Sequence, residues 1–288
     1  MAITINPLTD CFGAEILGVD ITKPLDEETF EQIREAFNRY SVLVFHDQDL
    51  NDEQQIAFSQ RFGPLESTMK NDFTGGGGLI NNLSNVDEKN EMISPEDKRI
   101  YHLSANMLWH SDSSFKRIPA KASLLSAREV PPEGGETEYA STRAAYDALP
   151  DDKKAMLEGL VAVHSLAYSR SLISPDLMDE AFKNEVPPVK QILVRTIPET
   201  GEKALFIGSH ASHIVGWPIE EGRALLKELL EWATQPQFVY RHKWRPKDLV
   251  MWDNRRCLHR GRPWDTSKYR RVMHRTTIAG DGPTVQGP

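Results

Sequence analysis

His110 and Asp112, in the run Asn106-Met107-Leu108-Trp109-His110-Ser111-Asp112, stand two apart, and a further histidine, His259, lies far downstream. Two histidines and one carboxylate are the donor set that holds non-heme Fe(II) and leaves positions open for substrate and oxygen. On a strand, side chains two apart share a face with Cα atoms about 7 Å apart, so both can lean onto one ion. The third donor then has to come from a distant strand. A His-x-Asp pair recurs by chance in a chain of 288 residues, so its weight depends on what surrounds it.

Arg271 and Arg275 are four apart on a predicted strand. That spacing points them the same way, about 13 Å apart along the chain, which leaves room for two different anions. A guanidinium suits that role because its planar fork meets a carboxylate bidentately. A solvated basic face is the plainer account, and only the His-x-Asp and His259 set tips the balance. Arg270 points to the opposite face and fits the plainer account. Thr137 follows Gly134-Gly135, and a threonine on a strand is ordinarily structural. His210 and His213, in a His-Ala-Ser-His run, read as hydrogen-bonded structural residues, as do His46, His102, His164, His242 and His274. Asp253-Asn254 reads as a turn that fixes the approach to His259. Trp109 reads as core beside the metal, and nothing marks Cys257 as reactive.

Short apolar or β-branched runs between turn signals predict the strands that must carry these residues. They fall at 2–6, 14–18, 41–46, 79–83, 121–128, 136–140, 160–167, 189–196, 203–207, 236–241, 248–253 and 269–278. Helices are predicted over 26–40, 51–62, 141–149, 151–160 and 218–234, the last with an apolar stripe of Leu225, Leu226, Leu229 and Leu230. Many strands with few helices, and metal donors far apart in sequence, imply a mainly β fold, a jelly-roll barrel with flanking helices. No repeat or linker divides residues 1–288, so one domain is expected. Residues 67–105 differ: four glycines from Gly75 to Gly78 precede a polar stretch. No Gly-Lys-Ser/Thr and helix follow them, so a phosphate loop is not supported. A surface loop and a mobile lid over a site both remain open.

The net charge of -8 argues against a nucleic-acid or membrane-surface role, and any anion must be met by locally placed arginines. Cys11 and Cys257 make no disulfide framework or zinc-finger spacing, as suits a reducing cytoplasm. No basic stretch followed by an apolar one marks a signal peptide at the start, and no apolar run approaches membrane-spanning length.

These residues sit in blocks that resemble the Fe(II)/2-oxoglutarate-dependent dioxygenases of the taurine dioxygenase group, and within it most resemble the 2,4-dichlorophenoxyacetate dioxygenases. The likeness covers nearly the whole chain. It runs through Gly13-Ala14-Glu15-Ile16, Val42-Leu43-Val44-Phe45, Arg61-Phe62-Gly63 and Leu108 to Phe115. It continues through Val130 to Thr137, Phe206 to His213, Trp252-Asp253-Asn254 and Arg270 to Arg275. The resemblance implies that His110, Asp112 and His259 ligate iron, and that Thr137 and Arg271 hold the distal carboxylate of 2-oxoglutarate. It places Arg275 at the anionic group of a primary substrate and Asn106 at a polar position near it. His210 and His213 become candidate pocket contacts. The implied reaction consumes oxygen and 2-oxoglutarate, hydroxylates a small organic acid and releases succinate and carbon dioxide.

The resemblance favours an aryloxyalkanoate or related aromatic carboxylate over taurine. Taurine enzymes carry a sulfonate-binding histidine after the Phe-Gly pair, where this chain has Thr68, with Lys70 close by. A taurine or alkylsulfonate dioxygenase is the alternative. A zinc hydrolase on the same donors would leave Thr137 and Arg271 without a role, and a cupin-like binding protein would need no turnover. Homo-oligomer formation is left open.

Overall fold

The computed structural model describes residues 3–69, 76–94 and 96–286, without the side chains of Lys98, His102 and Ala181. Lys70, Gly75 and part of the expected 67–105 lid lie outside the described residues. The chain is mostly sheet with helices packed on it. A seven-stranded sheet runs in the order Thr4–Pro7, Ala14–Leu17, Val42–Phe45, Leu249–Asp253, Ala122–Glu129, Val272–Ile278, Asn81–Ser84. All its pairings are antiparallel except that of Ala14–Leu17 with Val42–Phe45. A three-stranded sheet places Thr137–Ser141 between Val239–His242 and Cys257–Gly261. A second places Val161–His164 between Ala211–Ile214 and Val189–Ile192, and Val194–Thr196 pairs with Lys203–Leu205.

Strand alternation sorts the large sheet into two faces. Leu43, Phe45, Leu124, Leu249, Met251 and Ile278 pack with Ile33, Phe37 and Phe58 of two helices. Val42, Val44, Leu125, Val250, Trp252 and Met273 pack the other way, against Tyr139 and Cys257 of the first three-stranded sheet. The metal-donor candidates sit along this second, sheet-on-sheet layer. A third cluster packs the leucines of the helix Ile219–Ala233 onto the remaining sheet.

The covering helices start and stop where their ends are satisfied. Asp26 accepts from Thr29 N and caps Glu27–Tyr40, which Ser41 ends in a left-handed turn. Asn51 and Gln54 cap Asp52–Gln60 reciprocally. Among the described residues, no helix is long and apolar enough to cross a membrane.

The sequence reading differs from this frame in several places. The expected strand 189–196 is two strands broken at Leu193, and residues 236–238 form a 3-10 turn before Val239–His242. Two strands went unread, Ala211–Ile214 and Cys257–Gly261, as did the helices Lys98–Ser104, Leu166–Ser171 and Glu180–Glu185. Within the 67–105 stretch the strand expected at 79–83 is present as Asn81–Ser84, while the helix Lys98–Ser104 was not expected. The glycines of the stretch lead into that strand and not into a helix.

Candidate active site

His110, Asp112 and His259 converge, their donor atoms lying within 4.8 Å of one another. His259 sits inside the strand Cys257–Gly261. His110 is not on a regular strand; it forms a lone antiparallel bridge to His259. His110 N donates to His259 O at 3.0 Å, and His259 N donates to His110 O at 2.9 Å. The two imidazoles end 4.1 Å apart between centroids. Asp112 follows in a turn whose next residue, Ser113, has a φ of 54°. That turn, not a shared strand face, brings Asp112 Oδ1 to 3.9 Å from His110 Nε2 and Oδ2 to 3.7 Å from His259 Nε2.

The protonation states suit a cation. Burial pushes both imidazoles down, so each is neutral with a lone pair free. His110 Nδ1 donates to Leu108 O at 2.7 Å, which leaves Nε2 as the donor atom. Burial alone would raise the Asp112 carboxyl, but the charge of Arg275 outweighs it and holds the group well below the usual carboxylate range. Ser123 Oγ donates to Asp112 Oδ2 at 2.7 Å. Asn254 Oδ1 accepts from Asp112 N and from Trp252 Nε1, both at 3.0 Å, while its Nδ2 donates to Ser123 Oγ at 2.9 Å. Asn254 and Ser123 thus fix the carboxylate, a role the sequence reading missed. The one available signal was that Asn254 closes the strand before His259.

His110 and His259 open onto a cavity that also exposes Thr137, Arg271, Arg275 and Asn106. Arg271 is 8% exposed and has no carboxylate partner among the described residues. Its Nε donates to Gly135 O at 3.2 Å, and its guanidinium lies 5.2 Å from the Trp264 ring. Gly135 has φ 71°, and a Cβ there would stand 3.2 Å from Arg271 Nε, so a glycine is required. Burial lowers the Arg271 pKa to about 10, which still leaves the side chain charged at neutral pH. A buried, unpaired cation is costly unless an anion joins it. Thr137 Oγ1, on the same cavity, accepts from Trp244 Nε1 at 3.0 Å. The residues therefore fit both groups: neutral histidines and an ionised carboxylate for a metal, and a dry guanidinium for a dicarboxylate's far end.

Arg275 also lines this cavity, although its strand begins only at Val272 and bulges between Val272 and Met273. Its Nη1 donates to Asp112 Oδ1 at 2.5 Å. Arg270 points outward to Glu129 at 2.6 Å, as expected of a surface pair. His210 is buried, its ring 4.9 Å from Phe115 and 6.2 Å from His110. His213 lies on the strand Ala211–Ile214, its Nδ1 2.9 Å from Ser212 Oγ, and does not line the cavity. Four other histidines are engaged in the fold: His46 and His242 share Asp248, His274 meets Asp52 and His164 stacks on Phe206. Trp109 packs in the core beside the site under Arg260. Cys257 is buried, and burial pushes its thiol up, away from reactivity.

The profile of the family described as taurine catabolism dioxygenase TauD, TfdA family matches residues 4–277. The alpha-ketoglutarate-dependent 2,4-dichlorophenoxyacetate dioxygenase of Cupriavidus pinatubonensis is 45% identical over 290 residues, covering 96% of this chain and 98% of that protein. The (S)-phenoxypropionate/alpha-ketoglutarate-dioxygenase of Sphingobium herbicidovorans is 41% identical over 286 residues, covering 97% and 96%. The crystal structure of AAD-2 in complex with Mn(II) and N-oxalylglycine superposes with a TM-score of 0.92 at 46% identity, covering 100% of both chains.

Proposed function

Because the chain belongs to the taurine catabolism dioxygenase TauD, TfdA family, we propose that it hydroxylates a small aromatic carboxylic acid of the aryloxyalkanoate kind. It is an Fe(II)- and 2-oxoglutarate-dependent dioxygenase. His110, Asp112 and His259 hold the iron, and Arg271 with the Thr137 hydroxyl receives the distal carboxylate of 2-oxoglutarate. Iron with 2-oxoglutarate and oxygen supplies the oxidising power, and 2-oxoglutarate leaves as succinate and carbon dioxide.

The remaining work belongs to the chain. Arg275 keeps Asp112 ionised and presents positive charge to the substrate carboxylate. Leu83, Leu103 and Trp252 line the cavity and exclude water from it. Asn106 borders the same space, and His210 stands behind His110, its ring 6.2 Å away. Hydroxylation of an aryloxyacetate next to its ether oxygen gives a hemiacetal, which collapses to a phenol and glyoxylate. The two sheets packed face to face form a jelly-roll within a single domain, and the helix Lys98–Ser104 serves as its cover.

The observation that carries this reading is the buried Arg271, without a carboxylate partner among the described residues, on the same cavity as His110 and His259. A zinc hydrolase gives that arginine no task. Thr68, where taurine enzymes carry a histidine, lines a second cavity that shares Arg275, which favours a carboxylate over a sulfonate. The test is succinate yield with phenoxyacetates, other aryl-alkanoic acids and taurine. Turnover of taurine alone would overturn the substrate class and leave the metal and co-substrate roles intact.

A further inference from the structure

Arg275 stands between two cavities. One is lined by His110 and His259; the other is bordered by Glu66, Thr68, Asn81, Ser113 and Lys116. Several polar groups of this second wall are already engaged. Glu66 Oε2 accepts from Lys116 Nζ at 2.6 Å and from Ser113 Oγ at 2.7 Å. Thr68 Oγ1 accepts from Gly77 N at 2.9 Å. Two atoms are not: among the described residues, Asn81 Oδ1 and Arg275 Nε are both buried without a hydrogen-bond partner.

Strand pairing makes these two residues neighbours. Asn81 begins the edge strand Asn81–Ser84 and lies directly opposite Arg275. Side chains so opposed have Cβ atoms about 4.5–5.5 Å apart. Asn82 is exposed, so alternation turns Asn81 inward with Leu83. Asn81 is 9% exposed. A buried amide oxygen with no partner is a standing cost to the fold, and a ligand group can remove it.

We propose that Asn81 is a specificity-determining residue: its amide reads a polar atom next to the carboxylate that Arg275 holds. The inference rests on the reading of Arg275 as the carboxylate site. A carboxylate gripped by that guanidinium lays its next atoms beside the cross-strand partner. An asparagine amide can turn its NH2 toward an ether oxygen or its C=O toward an N–H. A methylene at that position satisfies neither and leaves the amide unpaired. Sites built around a hydrogen bond reject an analogue lacking it far more strongly than apolar pockets reject a change of size. The substrate class narrows to acids with a heteroatom one carbon from the carboxylate.

Three acids of similar shape test this: phenoxyacetate, with an ether acceptor; N-phenylglycine, with an N–H donor; and 3-phenylpropionate, with a methylene. Catalytic efficiency is read from succinate, and affinity by calorimetry on protein loaded with Mn(II) and N-oxalylglycine, which does not turn over. In the unaltered enzyme the better heteroatom acid should exceed 3-phenylpropionate by about tenfold or more, the worth of one good hydrogen bond. Asn81→Leu should shrink that ratio to about threefold or less, with N-oxalylglycine binding retained. Asn81→Asp, which only accepts, should shift preference toward N-phenylglycine over phenoxyacetate. Ratios unchanged in both variants would overturn the proposal while sparing the role of Arg275. If Asn81→Leu does not fold, the near-isosteric Asn81→Asp decides alone, and an unchanged ether-to-anilino ratio overturns the proposal. Binding of none of the three acids to the unaltered enzyme would instead defeat the Arg275 reading, and the proposal with it.

Discussion

Arg275 Nη1 lies 2.5 Å from Asp112 Oδ1, so the side chain proposed to receive a substrate carboxylate already touches the carboxylate of the metal-donor set. One guanidinium therefore serves two anions, a task its five donors allow and a lysine's point charge does not. Arg275→Lys should weaken metal binding by roughly tenfold, as outer-sphere changes commonly do, and should also raise the KM for the acid. Mn(II) titration and steady-state kinetics read the two effects separately. Metal affinity equal to that of the unaltered protein would show that the contact with Asp112 has no functional weight.

Arg271 should matter to 2-oxoglutarate alone. Truncating one partner of a buried charge pair costs about 2–5 kcal/mol, a weakening of roughly 30-fold to several-thousand-fold. Arg271→Ala should lose 2-oxoglutarate affinity by that much, with Thr137→Val a smaller step in the same direction. Unchanged 2-oxoglutarate affinity in Arg271→Ala, measured on folded protein, would refute the assignment.

Asn254 offers a test of support and not of ligation. It bonds Asp112 N, Trp252 Nε1 and, through Ser123, the Asp112 carboxylate. Asn254→Leu should destabilise the fold by about 1–3 kcal/mol, since it strands buried donors. It should weaken metal binding by about 10–100-fold. Urea denaturation and metal titration give the two numbers, and full metal affinity in this variant would remove Asn254 from the site.

What could be read from the chain beforehand divides along a physical line. That His110, Asp112 and His259 come together was legible from their donor types and from the blocks around them, and they do converge within 4.8 Å. The strand Cys257–Gly261 was not legible, although it carries His259, because Cys-Leu-His-Arg-Gly has no alternation and becomes a strand only by pairing with Thr137–Ser141. The expectation that His110 and Asp112 share a strand face failed for a similar reason. A single bridge and a left-handed Ser113 replace the strand. Asn81, Ser123 and Asn254 look like any polar residues in sequence. Only long-range register buries them beside a charge. The helix Lys98–Ser104 was hidden by polar composition in a stretch that reads as loop.

His164 gives a pH prediction. It is fully buried against Phe206, and burial lowers its imidazole pKa to about 3 from an ordinary 6.5. Between those values the unfolded chain binds a proton that the folded one refuses, so stability rises with pH. Acidification through that window should remove about 1.4 kcal/mol per pH unit on account of this group. His164→Phe should flatten the acid limb of a stability profile taken from about pH 7 to about pH 4.5 by urea titration. An equally steep limb in the variant would place the acid sensitivity elsewhere.

The helix Lys98–Ser104 and the turn Ala105–Met107 contribute Leu103, Asn106 and Met107 to the cavity wall. If this segment is a cover, hydrogen exchange over residues 98–107 should slow when N-oxalylglycine and phenoxyacetate bind together. Strong and equal protection with and without them would show a fixed wall.

The reciprocal backbone bonds between His110 and His259 also set a schedule. A chain leaving the ribosome displays His110 and Asp112 well before the strand that clasps His110 and carries His259. Until Cys257–Gly261 emerges and pairs with Thr137–Ser141, the two early donors have neither their partner nor their orientation. Metal capture by all three side chains is thereby deferred until that strand is in place, and a truncated product ending before His259 would lack one of them.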